Sequence, residues 1–446
     1  MHQEMILLRR IADIGLATGI LFLMAPWLAV YAFGIIIITR LVPRHRSGTG
    51  HNLLRIVQGD YDIIRRKDVF FVFYEDEQSF AHTFVMCYPA WHFRRIAHST
   101  TLTFIEIPLF GRVLKRIKLP ITYMLLNSLV FFTIVLAYAP WVRKSVSLVR
   151  GSDPHHTGFA AMLLGLIADI PYCISLHAHY GMIFDRTGQF YLSGLPNATI
   201  RMFRLWAERL VLAHARSVIA INDYIRQYAE SRGAISCRVT VLRHGVSVER
   251  FTGNDNVAIR ARFSWGDSPL VVIVSRISRE KYVFDIPMIA QIVARAIPQA
   301  FFTIAGDGPD REAFEEALAK AGIRDTVRIL GFQKQEIVSS LRTAADVNLC
   351  LYDGYSLIEA ALSGRPVVAY DVEWHNELIR NSKTGYLVPN RDVQSAAEAI
   401  CYLLRHPDEG KRLAAAAREL AVRNHSRETV TREKMAFYHS LIHGAN

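Results

Sequence analysis

Apolar and polar positions follow two patterns along this chain, short apolar runs and helical spacing. Together they predict alternating strands and helices. Short runs of β-branched or aromatic residues are typical of strands, and the stretches between them, such as 158–167 and 199–214, have helical spacing. The predicted strands are residues 69–74, 83–88, 102–107, 145–149, 172–176, 217–221 and 239–242, then 270–274, 301–304, 327–330, 347–349, 367–369 and 386–388. Alternation of this kind builds parallel sheets with helices on both faces.

A polar stretch at 252–267 interrupts this pattern and is interpreted as a linker. The fold class predicted is therefore α/β, with two Rossmann-like domains facing a cleft. The first domain is expected at 43–251 and the second at 252–426. Residues 427–446 are expected to form a C-terminal helix, for which a return to the first domain is one option.

One apolar run is too long for a strand. Residues 11–39 carry Asp13 as their only charge, and about 20 apolar residues are enough for a helix to cross a bilayer. The run is too long for a signal peptide, and no small-residue cleavage site follows it. We expect a transmembrane helix within a membrane anchor at 1–42, with a buried apolar helix as the alternative.

A second uncharged run, residues 119–142, is also long enough to span a membrane. Two spans would export residues 43–118, whose surplus of basic over acidic residues disfavours export. We therefore expect residues 121–141 to form a helix that is buried in the protein or lies on the membrane face.

Composition narrows the function classes. The chain has 446 residues, of which 51% are hydrophobic and 21% charged, so it is not a disordered chain. A net charge of +12 suits nucleic acid, anionic membranes or phosphate-bearing substrates. No nucleic-acid-binding signature is present, so no nucleic-acid partner is predicted. Five scattered cysteines without CxxC spacing disfavour a disulfide scaffold and indicate a reducing compartment.

Two segments of the second half carry candidate chemistry. Arg276 and Lys281 follow the strand at 270–274, and cations beyond the carboxyl end of a strand suit a diphosphate, although loop cations are more often simply solvated. Gly354 permits close approach of the backbone to a ligand, and Ser356 is the expected N-cap of a helix whose amides can bind phosphate. Glu359 is placed to reach a ribose diol, but a glutamate there also suits the helix dipole.

His177 and His179 end the predicted strand at 172–176. Both point toward the expected cleft, and His177 is the better candidate for a role there. A metal site would need a third ligand, which the pattern does not show, and an incidental pair is the alternative.

These residues resemble glycosyltransferase family 4, the retaining, metal-independent enzymes of GT-B fold. Arg276 and Lys281 match the family's pair of cations on the donor diphosphate. The other matching segments are VTVLRHGVSVERF (239–251), SVIAINDYIRQYAESRG (217–233), AGDGPDREAFEEAL (305–318), VRILGF (327–332), AADVNLCL (344–351), GYSLIEAALSGRPVVAYD (354–371) and TGYLVP (384–389).

The sequence departs from the family pattern in three places. Leu351 stands where the first of two paired glutamates is expected, and Asp353 is the nearest carboxylate that can replace it. His244 replaces the family's usual asparagine. The Gly-rich acceptor loop is absent, and FVFYEDEQSFAHTF (71–84) stands in its place, so acceptor recognition cannot be transferred.

The resemblance implies transfer of a sugar from a nucleotide diphosphate sugar, with no cofactor and no metal. The leaving diphosphate would be stabilised by the two cations and by amides at Gly354 and at Tyr355, Ser356 and Leu357. Glu359 would hold the ribose, Asp353 the sugar hydroxyls, and His177 the sugar or the acceptor.

With the anchor, the resemblance implies a lipid-linked acceptor in envelope glycan or polysaccharide synthesis. The enzyme is expected to be single-pass in the inner membrane, with its catalytic domains on the cytoplasmic side. The alternatives are an inactive membrane-tethered protein that binds sugar nucleotides, favoured by Leu351, and a sugar-nucleotide epimerase.

Overall fold

A computed structural model of the chain describes residues 50–59, 61–66, 78–90, 93–108, 120–182, 197–253 and 255–444. The described residues form two compact units, one up to Leu242 together with the chain from Glu433 on, and one comprising Arg243–Arg432. The predicted anchor at 1–42 and the predicted strand at 69–74 lie outside the described residues.

The first unit is built on an eight-stranded sheet. Its elements are β1 (Asn52–Gln58), α1 (Tyr61–Arg66), β2 (His82–Ala90), β3 (Arg94–Ala97), β4 (Leu102–Pro108), α2 (Pro120–Ser145), β5 (Leu148–Gly151), α3 (His156–Ala168), β6 (Tyr172–Leu176), α4 (Asn197–His214), β7 (Ser217–Ala220), α5 (Asp223–Ser231) and β8 (Val239–Val241). The strand order is β3-β4-β2-β1-β5-β6-β7-β8, and all neighbours are parallel except β3 and β4.

Two strands of this sheet were not predicted. β1 carries Arg55, a charged residue that is 3% exposed, so its apolar run is interrupted although the strand lies inside the sheet. β3 is four residues long, and its side chains alternate between partly buried and exposed at the edge of the sheet. Neither strand has the continuous apolar pattern that identifies a buried strand from sequence.

Helix α2 covers the second uncharged run. In its second half Phe131, Ile134, Tyr138 and Val142 are buried in the main core of the first unit. That half of the predicted helix is therefore buried in the protein. No helix among the described residues combines the length and the apolarity that crossing a bilayer requires.

The second unit is built on a six-stranded, fully parallel sheet. Its elements are α6 (Asn256–Arg262), β9 (Leu270–Val274), α7 (Ile286–Ala296), β10 (Phe301–Ala305), α8 (Arg311–Lys320), β11 (Val327–Gly331), α9 (Gln335–Ala344), β12 (Val347–Cys350), α10 (Tyr355–Leu362), β13 (Val367–Tyr370), α11 (His375–Leu378), β14 (Tyr386–Val388), α12 (Val393–Arg405), α13 (Pro407–His425) and the first part of α14 (Arg427–His443). The strands predicted for this half are confirmed in number and position.

The expectation of a linker throughout 252–267 is wrong, because α6 lies within it. Asp255 caps this helix by accepting a hydrogen bond from the amide of Ala258 at 2.9 Å. The helix buries Ile259 against Trp265, both at most 5% exposed. Seven residues make about two turns, and Ile259 is the only buried residue of α6, so the helix is too short to show a repeated apolar spacing in the sequence.

The strand order of the second sheet is β11-β10-β9-β12-β13-β14. The chain therefore runs outward from β9 to β11 and then returns to the other side of β9 to form β12. The connections after β9 and β12 leave the sheet side by side at this reversal. In open α/β sheets, the crevice beyond the carboxyl ends of two such strands is the usual ligand site.

The end of α14 belongs to the first unit. Tyr438 is 2% exposed, and its ring packs against Phe80 with centroids 5.0 Å apart. Its hydroxyl also accepts a hydrogen bond from the buried Arg150 guanidinium. This side chain therefore completes a small core with strand residues that include Leu53 and Leu148.

Candidate active site

The loop that follows β9 is held in place by the loop that follows β10. The amide of Ser275 donates to the carbonyl of Ala305 at 3.3 Å, and the amide of Ile277 donates to the carbonyl of Asp307 at 3.1 Å. A Cβ atom on Gly306 would lie 1.8 Å from the carbonyl oxygen of Ser275. Glycine is therefore required at 306 for the two loops to approach each other.

Lys281 reaches from the β9 loop to the β12 loop. It ends the 3-10 turn Arg279–Lys281, and its Nζ donates to the carbonyl of Tyr352 at 3.1 Å. The same ammonium lies 4.9 Å from the centroid of the Tyr352 ring. The structure thus places one of the two predicted cations at the reversal point of the sheet.

Arg276 has a different environment. Its side chain is 60% exposed, and the guanidinium lies 3.6 Å from the carboxylate of Glu280. An exposed pair of this kind contributes little to stability. Arg276 leaves the same loop as Lys281, and its predicted contact with a diphosphate stays a prediction.

Helix α10 begins at the same point of the sheet. Its N-cap is Gly354, so the prediction that Ser356 caps the helix is wrong. The Ser356 hydroxyl instead donates to the carbonyl of Val274, the last residue of β9, at 2.7 Å. A Cβ atom on Gly354 would meet no heavy atom within 4 Å, so the helix start faces open space.

The amides of α10 are not equally available. The amide of Leu357 donates to the carbonyl of Gly354 at 3.2 Å. Its proton is therefore already used, and the expectation that this amide binds phosphate is not supported. The amides of Tyr355 and Ser356 lie in the first turn, where a helix supplies no acceptor of its own. These two remain the predicted phosphate donors.

The position of Asp353 is set by a histidine that sequence reasoning missed. His375 follows β13 and is 1% exposed, with Nδ1 2.9 Å from the carbonyl of Tyr370 and Nε2 3.1 Å from the amide of Asp353. Burial lowers the pKa of His375, so the ring is neutral near pH 7. Nε2 also lies 2.8 Å from the carbonyl of Asp353, so the ring contacts both backbone groups of this residue. The ring therefore holds the loop that carries Asp353 and Gly354.

Glu359 has a protein partner that was also missed. Its carboxylate accepts a hydrogen bond from Arg250 at 2.7 Å, and the two side chains are 8% and 15% exposed. Arg250 belongs to the 3-10 turn Val248–Phe251, and its guanidinium also contacts the Ser339 hydroxyl at 3.3 Å. If Glu359 contacts a ribose as predicted, the same carboxylate must also keep its buried ion pair with Arg250.

His177 lies in the first unit, directly after β6, and is partly buried. The neighbouring His179 packs its ring on Tyr228 with centroids 4.0 Å apart and accepts the Met182 amide at 3.0 Å. These contacts give His179 a packing role. The predicted role of His177 toward a sugar stays a prediction. Among the described residues, no group of three or more metal-ligating side chains is placed to hold an ion.

Two family models match the chain in succession. Residues 85–245 match a glycosyl transferase 4-like domain, and residues 256–420 match glycosyl transferases group 1. Alpha-D-kanosaminyltransferase of Streptomyces kanamyceticus is 30% identical over 276 residues, which are 59% of this chain and 71% of that protein. The chain belongs to the glycosyl transferases group 1 family. It is a glycosyltransferase, and the resemblance drawn from its motifs is confirmed at that level.

More distant similarities agree with this glycosyltransferase assignment. One relative is a mannosyltransferase of Mycobacterium tuberculosis, named as GDP-mannose-dependent and acting on phosphatidylinositol monomannoside. It is 26% identical over 45% of this chain and 56% of the relative's length. The Anabaena protein HepE, solved with UDP and glucose, is 17% identical with a TM-score of 0.64, covering 87% of this chain and all of that one. Sucrose-phosphate synthase from Thermosynechococcus elongatus is 19% identical with a TM-score of 0.67, covering 88% and 100%. The two solved structures support the two-sheet, GT-B-like fold.

Proposed function

We propose that this glycosyltransferase transfers a sugar from a nucleoside diphosphate sugar bound where β9 and β12 diverge, with retention of anomeric configuration. The observation that carries the proposal is the meeting of Lys281 with the Tyr352 carbonyl beside the start of α10. A cation and a helix N-terminus at one reversal point suit a diphosphate. HepE, of the same fold, was solved with UDP-glucose, which supports this class of donor.

The chemical demand is to stabilise charge on the leaving group. When the bond between the anomeric carbon and the diphosphate oxygen breaks, its electron pair stays on the diphosphate. The acceptor hydroxyl attacks on the same face of the sugar, and its proton passes to the diphosphate oxygen that has left the anomeric carbon. The Lys281 ammonium and the first-turn amides of α10 are fixed before reaction, so they stabilise the growing charge without reorganisation.

The remaining roles follow from position. Glu359 would bind the ribose through the carboxylate that Arg250 orients, and Asp353 would bind sugar hydroxyls from the loop that His375 holds. For His177, the expected contact with the sugar or the acceptor remains part of the proposal. Arg276, which is long and exposed, would add a second cation on the diphosphate.

The proposal predicts that a nucleoside diphosphate protects the chain against heat. Detergent-solubilised protein is heated with UDP, GDP, ADP or the corresponding nucleosides, and the unfolding midpoint is measured. At 100 times the dissociation constant, binding stabilises the folded state by about 2.7 kcal/mol, so one diphosphate should raise the midpoint by several degrees while its nucleoside does so much less.

The same experiment separates the alternatives. Protection by no diphosphate contradicts the proposed donor site. Protection without transfer from any matching nucleotide sugar supports the inactive binding protein, for which Leu351, buried at 2% exposure, is the sequence argument. Release of a free epimerised nucleotide sugar supports the epimerase.

We also propose that the acceptor is membrane-associated, most simply a lipid-linked glycan precursor of envelope polysaccharide, and that the enzyme is single-pass in the inner membrane with its catalytic units in the cytoplasm. The apolar run at 11–39 and the net charge of +12 support this location. The Mycobacterium relative, whose name includes a phosphatidylinositol acceptor, provides a precedent within the family.

Removal of residues 1–42 should shift the protein from the membrane pellet to the supernatant after cell lysis. The thermal protection by nucleoside diphosphate should be unchanged, because the proposed donor site lies in the second unit. A truncated protein that still sediments fully with membranes would contradict the anchor, and its retained nucleotide binding controls for misfolding.

A further inference from the structure

Arg342 is a buried cation behind the start of α10. It lies in α9, its side chain has no solvent exposure, and it is among the largest fully buried side chains of the described residues. A buried charge is costly unless an opposite charge and hydrogen bonds compensate it. The partners of Arg342 therefore decide what this residue does.

Every hydrogen-bond partner of Arg342 is neutral. Nη1 donates to Oδ1 of Asn348 at 3.0 Å and to the Cys350 thiol at 3.9 Å, and that thiol also contacts Asp353. Nη2 donates to the carbonyl of Ser356 at 3.1 Å and to the Ser356 hydroxyl. Within the part of the chain that the structure describes, no carboxylate lies within 4.0 Å of the guanidinium, and Nε has no hydrogen-bond partner. The positive charge is thus hydrogen-bonded but has no counter-ion at contact distance.

The contacts of Arg342 lead directly to the proposed phosphate donors. Ser356 is the second residue of α10, and its hydroxyl in turn donates a hydrogen bond to the carbonyl of Val274 at the end of β9. The guanidinium therefore fixes the first turn of α10 against the strand that carries the Lys281 loop. It also adds a full charge beside a helix N-terminus that already carries positive partial charge.

We propose that Arg342 is a positioning residue for the donor diphosphate, which it also attracts through a positive charge that no carboxylate contacts. This inference rests on the proposed function, since it requires that a diphosphate binds at the start of α10. In the free protein, the cation and the helix dipole repel each other. A bound dianion attracts both the cation and the helix start. Their mutual repulsion, which destabilises the free protein, is therefore relieved when the diphosphate binds.

The test compares Arg342→Gln with Arg342→Lys. The probe is whichever of UDP, GDP or ADP protects the wild-type chain most, and its nucleoside serves as the uncharged reference. Dissociation constants are measured by calorimetry, and unfolding midpoints are measured without ligand. Arg365→Gln is the matched control, because Arg365 follows the far end of α10 and contacts the carbonyl of Thr343 at 2.6 Å.

We expect Arg342→Gln to bind the diphosphate at least about tenfold more weakly, to bind the nucleoside unchanged, and to unfold at the wild-type midpoint or above it. Arg342→Lys keeps the charge and should keep most of the preference for diphosphate over nucleoside. Arg365→Gln should keep that preference in full.

Two results would overturn the inference. One is an Arg342→Gln protein that unfolds at a lower temperature yet keeps its diphosphate affinity, which is the behaviour of a purely structural residue. The other is an Arg342→Lys protein that loses the preference as completely as the glutamine variant. If no nucleoside diphosphate binds the wild-type chain, the proposed function itself fails, which distinguishes the two cases.

Discussion

Replacing Lys281 by methionine should reduce the rate of sugar transfer about 100-fold, which is the usual loss when one preorganised donor to a developing charge is removed. Methionine matches the lysine side chain out to Cε and removes the ammonium, which lies 3.1 Å from the Tyr352 carbonyl. The loss should appear in kcat as well as in kcat/KM, because the charge on the diphosphate grows as the glycosidic bond breaks.

Lys320→Met is the matched control for this experiment. Lys320 is the exposed last residue of α8, so the same chemical change there should leave the rate within about twofold of wild type. Equal rates for Lys281→Met and wild type would remove Lys281 from the active site, whatever the nucleotide affinity.

The second prediction concerns the buried ion pair of Arg250 and Glu359. Glu359→Met leaves the Arg250 charge without its partner, which typically costs about 3 kcal/mol, or roughly 6–12 °C in a domain of this size. Arg250→Met should cost a similar amount. The double variant should recover most of the stability, because a buried pair replaced by apolar residues is often neutral.

Activity distinguishes the two roles of Glu359. If its carboxylate binds the donor, transfer should stay at least about tenfold below wild type in the double variant even though stability has returned. Recovery of both stability and transfer would show that Glu359 acts only by pairing with Arg250, and the ribose contact would be wrong. Thermal unfolding and initial rates on the same four proteins provide the complete cycle.

The second sheet was predictable from sequence because its strands are short apolar runs separated by helices, a pattern that parallel sheets produce directly. The strand order was not, since it depends on which strand the chain returns to after β11. β1 was missed because the buried Arg55 interrupts its apolar run, and burial of a charge is a tertiary property. Helix α6 was missed because its seven residues are too few to show a repeated apolar spacing.

The candidate site was predictable where a charged side chain lies in the loop directly after a predicted strand. Lys281 was identified on that basis and lies at the Tyr352 loop. Ser356 was misassigned because a serine before an apolar run resembles an N-cap, whereas here its hydroxyl finds the carbonyl of Val274. Arg250 and His375 lie far along the chain from the groups they hold, and nothing local in the sequence indicates those contacts.

A crystal structure of the chain with the protecting nucleoside diphosphate bound would show whether the donor site lies where β9 and β12 diverge. We expect the terminal phosphate within hydrogen-bond distance of the Lys281 ammonium and of the amides of Tyr355 and Ser356. Phosphates bound elsewhere, with Lys281 still on the Tyr352 carbonyl and the start of α10 without a ligand, would show that the donor does not bind at this site.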